Sequence, residues 1–189
     1  SLGARIITTD RPGFGLSDFQ PGRTLLDWPD DVVELADALG IDRFAVGGIS
    51  GGAPYVAACA FKIPHRLMAA AVVSGVGPTD WPSASHAMSR QRRAGIAVAR
   101  HAPWLLRPLM WLVSNPRRNP ERHVQQINAQ SAECDRAILT RPEVREMLMR
   151  NHVEATWPGV RGYAWETLTF TRPWGFRLED VAMEIHLWH

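Results

Sequence analysis

Phe44-Ala45-Val46-Gly47-Gly48-Ile49-Ser50-Gly51-Gly52 is the stretch on which the fold turns. Its first half is apolar and short, as a buried strand is. Its second half reads Gly48-Ile49-Ser50-Gly51-Gly52, a G-x-S-x-G pattern. At a very sharp strand-to-helix turn a serine takes a strained backbone conformation, and its hydroxyl stands above the end of the sheet. Side chains two residues before and two after would collide with the turn, so the pattern predicts that glycine is required at both Gly48 and Gly52. It also predicts φ > 0 at Ser50. The helix that follows directs its first amides, Gly51 N–H foremost, at any oxyanion formed beside Ser50. The bland reading is a glycine-rich turn with an idle serine. The missing Gly-x-Gly-x-x-Gly spacing and the absence of Gly-Lys-Ser/Thr argue against a phosphate loop.

Working outward, the pattern alternates. Asp27 is a candidate N-cap with Pro29 in the first turn, and the helix through Val32, Leu35 and Leu39 stops at Gly40. A helix rich in alanine runs from Gly51 to about Ile63, and Met68 to Val73 is a further apolar strand. Upstream, the β-branched run Arg5 to Asp10 reads as a buried strand ending in the Arg11-Pro12-Gly13 turn. Short strands and helices in strict alternation imply an α/β fold, a mainly parallel sheet flanked by helices. From about Asp80 to Gly175 the rhythm changes to proline-broken helical patterns, and Val181 to Trp188 returns to strand character. The domain boundaries expected are therefore 1–79 for the first part of the core, 80–175 for a helical cap insert, and 176–189 for the return strand. The insert holds 14 basic and 8 acidic residues, net +6, against 7 and 11, net −4, for the remainder.

Composition narrows the function. The 189 residues carry a formal charge of +2, and 20 of the 21 basic residues are arginine, Lys62 being the exception. So small a net charge makes no electrostatic case for nucleic acid. The longest strongly apolar stretch, about Trp104 to Val113, is half the roughly 20 residues a bilayer span needs and is interrupted by Arg107. Cys59 and Cys134 cannot form a disulfide framework, so a reducing compartment, the cytoplasm, is the expectation. No Cys/His spacing resembles a metal site, and neither metal nor cofactor is expected. Oligomeric state is not legible.

The residues quoted so far resemble the α/β-hydrolase family, serine-nucleophile branch. Asp10-Arg11-Pro12-Gly13-Phe14-Gly15-Leu16-Ser17 is similar to that family's loop after its fourth strand, and the elbow follows at the family's distance. The resemblance implies that Ser50 is the nucleophile, that Gly51 N–H is half of an oxyanion hole, and that Asp10 shapes a turn. It implies a hydrolase acting on an ester, lactone or related acyl substrate, mainly apolar, through an acyl-enzyme. Carbon–carbon hydrolysis and cofactor-free perhydrolysis use the same triad and stay open, as does a non-catalytic binding module from another class. The serine argues against the branches that use an aspartate nucleophile.

The resemblance covers strands four to seven and the cap. It implies a fragment truncated at both ends, with the second oxyanion donor, the triad acid and the histidine outside it. On that reading the chain alone is expected to be poorly soluble and to show no turnover, since an unassisted serine hydroxyl is a poor nucleophile. Within the chain, Asp80 is the alternative acid. The seven histidines, His65, His86, His101, His123, His152, His186 and His189, read as structural. Trp81, Trp104, Trp111, Trp157, Trp165 and Trp174 lie in the insert, either as packing or as the apolar roof of a pocket that Ser50 touches. The cluster Arg90, Arg92 and Arg93 and the pair Arg117-Arg118 read as solvated faces, with an anionic membrane or substrate as the other reading.

Overall fold

A computed structural model of the chain describes residues 3–79, 88, 90–113, 115, 117 and 119–189. Asp80, Trp81 and His86 lie outside the described residues. The chain divides into two compact units, one of residues 1–21 with 102–166, the other of residues 22–101 with 167–189.

The second unit holds the sheet. Helix α1, Trp28–Ala38, leads to strand β1, Phe44–Ile49; α2, Ala53–Lys62, leads to β2, Leu67–Val73. Strand β3, Ile185–Trp188, completes a three-stranded parallel sheet in the order β1-β2-β3. Helix α3, Arg90–His101, belongs to the same unit. Small residues let α2 lie close on the sheet: Ala53, Val56, Cys59 and Ala60 share one buried cluster with Leu67, Ala70 and Val72. A second cluster packs Leu25, Ala57, Ala58 and Trp174, with Tyr55 and Phe170 against it. Trp174 is therefore core packing. Gly40, at φ 68°, ends α1 as a left-handed residue that glycine adopts without strain.

Asp27 stands at the N-cap position of α1, as expected, but its side chain makes no capping bond there. It sits inside a 3₁₀ turn, Leu25–Asp27, and its carboxylate accepts from the Thr24 backbone N–H at 2.6 Å and from the Thr24 hydroxyl at 2.9 Å. A carboxylate that reaches back to the preceding turn cannot also reach the amides ahead of it. The Thr24 backbone bond holds the Asp27 carboxyl below the usual aspartate range.

The first unit shows only helices and loops among the described residues. Helices α4, Leu106–Val113, α5, Pro120–Gln130, α6, Glu133–Leu139, and α7, Pro142–Ala155, follow one another. Helix α8, Arg161–Thr171, begins in this unit and ends in the other. Residues 5–10, expected as a buried strand, form no strand and are exposed, Ile6 by 84%. β-branched residues favour a strand only where neighbouring strands offer a ladder, and none lies in this unit among the described residues. The loop that follows is built as the glycines suggest. Leu16 N–H donates to Asp10 Oδ2 at 3.1 Å and Ser17 Oγ donates to the Asp10 carbonyl at 2.8 Å. Gly13, at φ 83°, lies so close to Gly162 that a Cβ would stand 2.8 Å from the Gly162 Cα. Arg11 Nε donates to the buried Glu166 carboxylate at 2.5 Å.

Candidate active site

Strand β1 stops at Ile49, and Ser50 adopts φ 51°, the left-handed geometry expected of the elbow. A 3₁₀ turn, Ser50–Gly52, then feeds α2, whose first turn contains Pro54. The register Ile49↔Val73 and Val73↔Trp188 brings the carboxyl ends of all three strands level with Ser50. That edge is where open parallel sheets bind their ligands. Gly51 follows Ser50 in the same turn, so its amide is among the first of the helical segment.

The two elbow glycines differ. A Cβ on Gly48 would lie 2.7 Å from the Gly52 carbonyl carbon and 2.8 Å from Val56 Cγ2. A Cβ on Gly52 would meet nothing within 4 Å. The expectation that both positions require glycine is corrected accordingly: the close approach is between the Gly48 Cα and the Gly52 backbone, so the missing side chain matters at Gly48.

The turn after β2 was not singled out from the sequence. Ser74 shares the left-handed backbone, at φ 47°, and its N–H donates to the Trp188 carbonyl at 2.8 Å. Val76 N–H donates to the Ser50 carbonyl at 3.1 Å, which ties the elbow to this turn. Gly75 packs so closely that a Cβ would stand 2.5 Å from Val72 Cγ1 and 2.7 Å from the Ala53 Cβ. The Ser74-Gly75-Val76-Gly77 run was the available signal.

Ser50 itself is exposed. A cavity of about 520 Å³ lies beside the elbow, lined by Ala53, Val72, Val76, Trp174, Met183 and Leu187 among others, and Ser50 does not line it. Trp174 is buried in the core, Trp165 meets Phe19 edge to face at 6.0 Å, and Trp104, Trp111 and Trp157 are exposed. His65, His101, His186 and His189 are exposed, while His123 and His152 pack against each other at 4.7 Å between ring centroids. Among the described residues no histidine bonds to Ser50, and no cluster of three His, Cys, Asp or Glu side chains is placed to hold a metal. Also among them, no helix is long and apolar enough to cross a membrane.

Comparison with known proteins adds the lineage. The family model described as alpha/beta hydrolase fold matches residues 1–97. The chain is 34% identical over 135 residues to the "Putative carbamate hydrolase RutD" of Caulobacter sp. (strain K31), covering 66% of this chain and 48% of that protein. Among solved structures it is similar to a thermophilic esterase from Thermogutta terrifontis, with TM-score 0.58, 23% identity, and coverage of 93% of this chain and 57% of that one. A second solved relative comes from work on carboxylesterases of the thaumarchaeon Nitrososphaera gargenis, with TM-score 0.58 and 12% identity over 94% of this chain and 58% of that one. The chain thus spans about half the length of the curated relative and under three-fifths of these solved ones. With a family model matching more than half its residues, a parallel sheet in the family's manner and a left-handed serine at the strand-to-helix turn, the chain belongs to the α/β-hydrolase fold family.

Proposed function

We propose that this chain carries the nucleophile of a serine hydrolase acting on an ester, lactone, carbamate or related acyl carbonyl. The observation that carries the reading is Ser50 held at φ 51° between β1 and the helical turn. A non-glycine residue in that conformation costs about 1–3 kcal/mol, and strain of this kind is kept where a hydroxyl must be presented. Ser50 Oγ attacks the carbonyl carbon as a general base takes its proton. The tetrahedral oxyanion is met by Gly51 N–H, and collapse expels the alcohol or amine, protonated by the same base. Water then cleaves the acyl-enzyme and regenerates the hydroxyl. Asp80 is a candidate to orient the base. The esterase and carbamate names of the relatives support the substrate class, because both bonds offer the same electrophilic carbonyl. We further assign residues 80–175 the part of a cap domain that sets substrate range, a role supported by their helical character among the described residues.

The test is covalent. The protein expressed from its complete reading frame is treated with a fluorophosphonate probe and digested for mass spectrometry. Labelling on Ser50, abolished by Ser50→Ala, is the expected result. An unlabelled, correctly folded protein would mean a binding module in which Ser50 is idle.

A further inference from the structure

The first unit carries an apolar surface that its own core does not use. Helix α4 buries Leu106, at 3% exposure, and turns the other side outward: Leu109 is 44%, Trp111 55% and Leu112 62% exposed, and Trp104 in the preceding 3₁₀ turn is 74% exposed. At 100° per residue these side chains with Arg107 form one continuous arc. Exposing so many large apolar groups to water is unfavourable, so an exposed arc of this size marks a contact face.

The chemistry beside the arc says which contact. A cavity of about 690 Å³ opens between α4 and the turn that leads into α8, lined by Arg107, Pro108, Trp111, Gly159, Val160 and Arg161 among others. At its edge Trp157 is 61% exposed, and the Arg117 guanidinium lies 4.7 Å over its ring and donates to its carbonyl at 2.9 Å. Arg161 stacks 3.9 Å over Phe19. Stacking of this kind orders a guanidinium while leaving its edge free to bind an anion. The face is built around Arg107, Arg117 and Arg161, and the sequence over 103–119 and 155–165 holds no aspartate or glutamate.

We propose that this face docks the protein on an anionic lipid bilayer. Tryptophan and leucine enter the interfacial layer while arginine meets the lipid phosphates, the division of labour of a helix lying in the membrane surface. Each part of the surface fits. Indole is suited to the wet–apolar boundary, and guanidinium binds phosphate with two parallel hydrogen bonds. The eleven-residue segment 103–113 is too short to span but long enough to lie flat. A second copy of the chain is a poor occupant, because it would bring the same arginines face to face with no acidic partner. The inference is independent of the role of Ser50.

Co-sedimentation with vesicles tests it, using the full chain and two lipid mixtures: phosphatidylcholine alone, and phosphatidylcholine with phosphatidylglycerol. Binding is expected to the anionic vesicles, to weaken at high salt, and to be slight on the neutral ones. Arg107→Gln and Arg161→Gln should each lower the partition coefficient about fivefold. Trp104→Ser with Leu112→Ser should remove binding and the blue shift of tryptophan emission; both side chains are exposed, and an unchanged far-ultraviolet circular dichroism spectrum confirms that the variant folds. Failure to bind anionic vesicles overturns the proposal, as does binding indifferent to these substitutions. So does concentration-dependent self-association lost in the same variants, which would make the face a contact between copies.

Discussion

At the scale of single residues, the elbow makes opposite demands at positions of identical sequence. Gly48→Ala places a methyl group against the Gly52 backbone and Val56, and overpacking of that kind costs about 1–3 kcal/mol. Gly52→Ala meets open space in a helical conformation, at φ −75°, so it should leave stability unchanged or raise it by about 0.4–1 kcal/mol through the unfolded chain. Urea denaturation of the two variants checks the difference in sign. Ser50→Gly should relieve the left-handed strain and gain about 1 kcal/mol while losing fluorophosphonate labelling; a loss of stability would mean that Ser50 is not strained. The cysteines separate just as clearly. Burial pushes the Cys59 thiol up to about 12, and Cys134 is exposed. Because the thiolate is the reactive form, an aromatic disulfide reagent near pH 8 should modify one thiol in the native protein and both in denaturant.

At the scale of elements, α5 and α7 meet through His123 and His152, with an ion pair between Glu121 and Arg145 also joining them. His152 Nδ1 is held 2.7 Å from the Leu148 carbonyl, while His123 Nδ1 is buried without a partner. Burial, and secondly the charge of a protonated His152, hold the His123 pKa below its ordinary 6.5. Folding therefore disfavours protonation at His123. Its contribution is complete above the unfolded value of 6.5 and is lost as pH falls from there through the folded value. The melting temperature should accordingly drop between neutral and mildly acidic pH, and drop less in His123→Gln. Equal drops in both proteins would show that other groups control the acid transition. The Thr24–Asp27 bond has the same sign of pH dependence, displaced to lower pH. Here a carboxyl is stabilised as the anion, so its contribution persists above the usual aspartate range and fades only in stronger acid.

At the scale of the molecule, the sheet leaves apolar surface beside its carboxyl end. Leu187 is 74% and Trp188 56% exposed, and both line the cavity of about 520 Å³ beside the elbow. Surfaces of this kind take up amphipathic dyes. The purified chain should enhance anilinonaphthalene sulfonate fluorescence, and Leu187→Ser with Trp188→Ser should weaken the enhancement. An unaltered signal would place the dye elsewhere, with the α4 face the next candidate for testing by Trp104→Ser.

Local chemistry made the central part of this fold legible. The apolar run before Gly48, the alanine-rich helix after it and the next apolar strand are short, contiguous and consistent with one another, so their pattern alone determined the order of elements, the parallel sheet and the left-handed Ser50. What depended on distant partners did not show. Residues 5–10 have the composition of a strand, but a ladder needs a neighbour, and the unit that holds them has no strand among the described residues. Asp27 has the right spacing for a cap, but its carboxylate turns to Thr24 because the 3₁₀ turn brings that amide within reach. Six tryptophans in one helical stretch cannot say which way they face: Trp174 went into the core, and Trp104, Trp111 and Trp157 went outward. Strand and turn identity follow from interactions a few residues apart, which sequence order records. The destination of a side chain and the presence of a pairing edge follow from packing between segments far apart in the chain, and only the tertiary structure decides them.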